Sequence, residues 1–146
     1  MDFMTAFDIA ASALSAQRTN LNVISMNLAN AKTTRTSEGG PYQRRSVTMA
    51  ATPVDSPFSS AMNTALDREI KGVRVLDIAV DSRPFKRVYE PGHPDADAEG
   101  YVNYPDINVV EEMTNMLTAM RSYEANVTTI ESIKTMFQKA LELGRG

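Results

Sequence analysis

The densest run of potential ligands in this chain is Asp95, Asp97, Glu99, Tyr101, Asn103 and Asp106, with Gly100 among them. Counted from Asp95, they fall at positions 1, 3, 5, 7, 9 and 12 of a calcium loop, with the glycine at position 6. Oxygen donors on alternate residues suit a hard cation, because a tight loop turns each of them toward one centre. Against this, the closing position of such a loop takes a bidentate Glu, and here it is Asp106 beside Pro105. Pro91, Gly92 and Pro94 also leave no entering helix. A calcium-binding reading therefore stands only as an alternative, and unchanged tyrosine fluorescence in millimolar Ca²⁺ would remove it.

Other chemistry is poorly supplied. His93 is the only histidine and there is no cysteine, so no zinc set, thiolate nucleophile or disulfide can be assembled. A Ser-His-Asp arrangement has no Gly-x-Ser-x-Gly elbow to hold it, and no glycine-rich phosphate loop occurs. A pair of carboxylates able to cut cell-wall glycan needs a cleft, whereas the acids here lie in a stretch broken by Pro and Gly. The expectation is a non-enzyme with no catalytic residue, no metal, no cofactor and no small-molecule substrate. A net charge of −3 gives no basic face for nucleic acid. The N-terminus, Met1-Asp2-Phe3-Met4, lacks the basic leader and apolar run of a cleavable secretory signal, and no stretch reaches the ~20 apolar residues of a membrane helix.

What the chain does supply is two heptad stripes. Phe3, Phe7, Ala10, Leu14, Gln17, Leu21, Ile24 and Leu28 step by alternating fours and threes, and so do Val109, Met113, Met116, Met120, Tyr123, Val127, Ile130, Lys134, Phe137 and Leu141. A repeat of about 3.5 residues places a narrow apolar seam along a helix, which another such seam satisfies. The spacing predicts a helix over residues 3–29 and a second from Asn108 to Gly144. Asn108 and Glu111 have capping-box spacing, and Gly144 suits a left-handed C-terminal cap. Off the seam, the first helix is mostly Ala, Ser, Thr and Asn, a composition that suits a helix with neighbours on several sides. Met113, Met116, Met120 and Met136 give the second an adaptable packing surface. Whether the seams pair within one chain or between chains is open at this stage. Because most helical stability comes from packing, the free monomer's termini are expected to be poorly ordered until assembly.

Residues 31–104 hold six of the seven prolines and five of the seven glycines, which excludes a long helix. Val73, Val75, Ile78 and Val80, then Phe85 to Tyr89, read as two strands joined by Ser82-Arg83-Pro84 into a small hairpin. Residues 51–67 read as a loose connection. Lys32, Arg35, Arg44 and Arg45 make residues 31–47 basic, while residues 89–112 carry seven acids and no Lys or Arg, so the two segments are suited to face one another. The fold class is mainly α: a coiled coil of N-terminal (1–30) and C-terminal (105–146) helices, with a β-hairpin and irregular middle (31–104).

Three runs carry a family resemblance. Asn27-Leu28-Ala29-Asn30-Ala31-Lys32-Thr33-Thr34-Arg35-Thr36, followed by Glu38-Gly39-Gly40-Pro41-Tyr42 and by Arg44-Arg45, is similar to the N-terminal signature of flagellar rod, hook and related axial proteins. The stretch Val88 to Val102 and the run from Pro105 through Val109 to Glu112, Met113, Arg121, Tyr123 to Asn126 and Lys134 complete a match to the basal-body rod proteins of that family. Gln43, Asp106 and Glu124 depart from the expected pattern, and residues 51–70 match least.

The resemblance implies a structural subunit of the proximal rod, in which paired terminal helices form an inner layer and copies stack helically to link the inner-membrane ring and export gate to the distal rod and hook. It implies that the partners are copies of this chain, other rod proteins, ring or export-gate adaptors and the flagellar type III export apparatus. It places the chain in a periplasmic basal body without a cleaved signal. The residues expected at assembly interfaces are Phe7, Leu14, Leu21, Ile24, Leu28, Asn30, Thr33, Thr34, Val109, Met113, Met116, Met120, Tyr123, Val127, Ile130 and Phe137. The rivals are a sister rod subunit and a secreted calcium-binding coiled-coil adaptor.

Overall fold

The computed structural model describes residues 3–53 and 71–144. Helix α1 spans Phe3–Ala29 and α2 spans Val109–Leu143, with strands β1 (Arg45–Pro53), β2 (Lys71–Val80), β3 (Lys86–Tyr89) and β4 (Tyr101–Tyr104) between them. At ~1.5 Å per residue the helices are roughly 40 and 52 Å long. They run antiparallel, since Phe3 meets Phe137 edge to face at 5.9 Å at one end and Asn27 meets Glu112 at the other.

Both helices begin and end for local reasons. The Asn108 carboxamide oxygen accepts from the N–H groups of Val110 and Glu111, satisfying two orphan donors of the first turn. Glu111 and Glu112 add acidic charge at the positive end of the helix dipole. At the far end Gly144 is right-handed (φ −79°), and its N–H closes on Ala140 O in an ordinary last turn, so the left-handed cap expected there is not used. After α1, Asn30 donates back to Met26 O and accepts from the Thr33 hydroxyl, while Thr33 N–H bonds Asn30 O. These bonds fold the chain away from the helix axis.

The expected hairpin between residues 73–80 and 85–89 does not form. β2 instead pairs antiparallel with β1, from Arg45 opposite Val80 to Pro53 opposite Lys71, with a bulge at Thr48/Met49. β3 pairs with β4. A long ladder outcompetes the few pairs that a hairpin closed at Pro84 would offer, and Asp81 N–H extends it by bonding Arg44 O. Residues 51–53 complete β1, and the rest of the loose connection expected over 51–67 lies outside the described residues.

The second ribbon turns through Gly100 (φ +83°), where an added Cβ would sit 2.9 Å from the Tyr89 ring and 3.2 Å from Pro91 Cβ. Glu90 N–H bonds Gly100 O across the same turn. Gly100→Ala is expected to destabilise the protein by about 1–3 kcal/mol, through a strained left-handed residue and a steric clash. Thermal unfolding and the near-ultraviolet signal of Tyr89 and Tyr101, whose rings meet at 5.3 Å, would report it.

Packing selects a different phase of the helices from the sequence stripes. On α2 the buried residues are Glu112, Ala119 and Ile133, with Met116, Tyr123, Asn126 and Ile130 half-buried between them. Half the stripe therefore keeps its place, and the other half falls one residue earlier, leaving Met113 and Met120 exposed. On α1, Ala10 and Ile24 are buried as the stripe expects. They are joined by Ala16, Val23 and Asn27, while Leu14, Leu21 and Leu28 are half-buried. The cause is that α1 has two neighbours, α2 on one side and the β1–β2 ribbon on another, where Val73 N–H donates to the Ser12 hydroxyl. Its most buried side therefore points between them. The small residues Ala16 and Ala119 are almost fully enclosed.

Candidate assembly surface

The open end of the helix pair is pinned by a buried polar cluster. Asn27, 1% exposed near the end of α1, uses its carboxamide fully: Nδ2 donates to Glu112 Oε2 (3.0 Å) and to Arg45 O (2.8 Å), and Oδ1 accepts from the Tyr42 hydroxyl (3.0 Å) and Arg45 N–H (2.9 Å). Glu112, also 1% exposed, receives the Arg44 guanidinium on Oε1 at 2.6 and 2.9 Å. Arg44 reaches on to Asp81 at 3.6 Å. Burial pushes the Tyr42 phenol above its ordinary pKa, a shift that Arg45 opposes and Glu112 reinforces. Five side chains, Asn27 of α1, Tyr42 and Arg44 of the loop after it, Asp81 just past β2 and Glu112 of α2, are thus fixed in one network whose members all have partners.

The basic and acidic segments meet within the chain. Besides Arg44 with Glu112, the Thr34 hydroxyl donates to Asp95 Oδ2 (2.8 Å) and Arg35 lies 3.8 Å from the same carboxylate. The calcium-loop acids are engaged separately. Asp97 caps its own turn by accepting from Tyr101 and Glu99 N–H, and pairs with Arg87 at 2.8 Å; the Tyr101 bond is the largest cause holding its pKa below the ordinary value. Asp95 instead faces Thr34, and its N–H donates to His93 Nδ1. Among the described residues no three acids or histidines converge as a metal set.

The sequence-expected interface residues divide into three groups. Ile24 is buried; Leu14, Leu21, Leu28, Met116, Tyr123, Val127 and Ile130 are half-buried; Phe7, Val109, Met113, Met120 and Phe137 are exposed. Asn30, Thr33 and Thr34 serve the turn and the bond to Asp95. Asn27, Tyr42, Arg44 and Glu112 are missing from that set. A polar residue interrupting an apolar period gives no sign of its partner, and Glu112 reads in sequence as a dipole-stabilising first-turn acid.

About a third of a turn round from its α1-facing side, α2 carries a second apolar line: Val110, Met113, Leu117 and Met120, at helical steps of three and four. Val110 is 73% exposed and Leu117 59%. Along α2 the hydroxyls of Thr114, Thr118 and Ser122 each donate to the carbonyl four residues earlier, the last two from the groove beside α1, as do Thr128, Ser132 and Thr135 farther along. Each proton returns to the same helix, so these side chains can be covered without a buried donor going unpaired. A ridge of large apolar residues can bind another helix; it offers no catalytic group.

Two protein families match. Residues 7–35 match the family described as flagella basal body rod protein, and residues 98–143 match the C-terminal part of the flagellar basal body rod FlgEFG proteins. The chain is 42% identical to the flagellar basal-body rod protein FlgC of Borreliella burgdorferi, covering all of both chains. It is likewise 42% identical to the FlgC proteins of Escherichia coli O157:H7, over 99% of this chain, and Bacillus subtilis, over 97%, in each case covering the whole relative.

Proposed function

The chain belongs to the flagellar basal-body rod protein FlgC family and is a structural rod subunit, and on that premise we propose that it polymerises helically in the proximal rod, between the inner-membrane ring with its export gate and the distal rod and hook. In this reading α1 and α2 form a coiled-coil inner layer, residues 31–104 lie outside it, and the chain reaches the periplasm through the flagellar type III apparatus. Its contacts are with copies of itself, other rod proteins and ring or export-gate adaptors. The supporting observation is the uncovered ridge Val110–Met113–Leu117–Met120 on a helix already occupied by α1 along another side. A lone chain gains nothing from four large apolar residues in water, whereas a repeated heterologous contact buries them in every copy and generates a screw.

Deleting the gene and imaging isolated basal bodies tests the reading: inner-membrane rings without a completed rod or hook are expected, restored by the wild-type chain. Complete motile flagella in the deletion strain would overturn it. Complementation with Leu21→Asp or Ile130→Asp, which place an unpaired charge at half-buried helix positions, is expected to restore neither rods nor swimming.

A further inference from the structure

The ridge on α2 has a matching surface on α1 of the same molecule, too far round to be its partner in one chain. In the C-terminal half of α1, the side turned away from both α2 and the β1–β2 ribbon carries Ser15, Arg18, Asn22, Ser25 and Ala29, all exposed and, apart from Arg18, small, with exposed Met26 at its edge. Large side chains on one helix pack best against small ones on the next. The two surfaces also share a register. With the helices antiparallel and Leu117 opposite Ser25, Met113 falls opposite Ala29 and Met120 opposite Asn22, because both lines follow the same three-and-four stepping. The next step places Glu124, the acid in line with the ridge, opposite Arg18, the only cation in α1. Among the described residues neither charge makes an ion pair within the chain. This register differs by only about two to three residues, roughly 3–4 Å, from that of the intramolecular pair, in which Asn27 faces Glu112 and Phe3 faces Phe137. A neighbour can therefore extend the existing helix pair sideways with almost the same geometry.

We infer that the Met113–Leu117–Met120 part of the ridge of one copy seats antiparallel on the Asn22–Ser25–Ala29 face of α1 in a second copy of this chain, with Val110 reaching past the end of that helix and Glu124 bonded to Arg18. The inference rests on the rod-subunit reading and names the partner and register of one of its contacts. Both surfaces exist on every copy and differ from each other, so the contact is heterologous and leaves a free ridge at one end and a free face at the other. The ion pair is a register device: shifting the helices by one turn would leave both charges against apolar or small neutral residues.

Three measurements in cells lacking the native gene test this. A photo-reactive p-benzoylphenylalanine placed at Leu117, or at the more exposed Val110, is expected to give an adduct of twice the chain mass in isolated basal bodies. Because the chain has no cysteine, co-expressed Leu117→Cys and Ser25→Cys copies should form a disulfide dimer only when both are present. Arg18→Glu and Glu124→Arg should each lower the number of completed hooks at least several-fold, and the two combined in one chain should restore it. Complete rods with no adduct, an adduct to a different axial protein, or single charge reversals that assemble normally would overturn the second-copy assignment while leaving the rod-subunit reading intact. That reading fails separately if the deletion strain builds complete rods.

Discussion

Glu112→Ala is expected to destabilise the isolated chain by about 3–5 kcal/mol, the usual cost of removing one partner from a buried ion pair. Glu112 lies 1% exposed beneath Arg44 and Asn27, so the truncation removes the nearest acceptor of the Arg44 guanidinium and the acceptor of one buried Asn27 N–H. Arg44 keeps 18% of its side chain exposed and retains Asp81 at 3.6 Å, which places the expected value toward the lower end of that range. Glu112→Gln should cost less, because its carboxamide oxygen can still accept one of these bonds. Denaturant unfolding followed by helical circular dichroism provides the measurement. A loss below about 1 kcal/mol for Glu112→Ala would show that the pair is worth no more than an exposed salt bridge.

Asn27→Asp changes one atom type and is expected to be at least as damaging at neutral pH. Nδ2 now donates to Glu112 Oε2 and Arg45 O at 3.0 and 2.8 Å; a carboxylate oxygen in its place would face two acceptors, one of them charged. Two carboxylates at hydrogen-bond distance cannot both ionise cheaply, so one is held protonated above its unfolded-state pKa. A group whose folded pKa is raised binds its proton more tightly in the native state. The variant's deficit is therefore smallest below the unfolded carboxylate pKa and grows as pH rises through the raised one. Asn27→Asp should thus be relatively more stable in mild acid than at pH 7, measured as the difference from wild type at each pH. Combining it with Glu112→Gln removes the repulsion and should recover part of the loss, a non-additive result that marks the two residues as one unit. A pH-independent deficit would argue that packing, rather than charge, is what Asn27 provides.

The residues of this chain determined a good deal on their own. Heptad patterns broken only by Gln17 and Lys134, with no Gly or Pro, made both helices legible, as did Asn108 as the cap of the second. The absence of Cys, the single His and the calcium loop spoiled by Asp106 and Pro105 argued against a catalytic or metal centre. The long motifs from Asn27 to Tyr42 and from Val88 onward carried the family. Helical periodicity and turn chemistry are local, and local signals survive in a linear string.

The tertiary structure decided what depends on having more than one neighbour. Which half of each stripe is buried follows from α1 lying between α2 and the β1–β2 ribbon, so Ala16 and Ala119 are enclosed while Met113 and Met120 remain in water. Strand pairing is also non-local: Val73 to Val80 fit a local hairpin by composition, yet a longer ladder with Arg45 to Pro53 satisfies more backbone groups. The Asn27–Tyr42–Arg44–Glu112–Asp81 network could not be read in advance, because it joins residues up to 85 positions apart whose polarity gives no hint of burial until each meets its partner. The same folding leaves one ridge of α2 and one small face of α1 turned outward on the two helices.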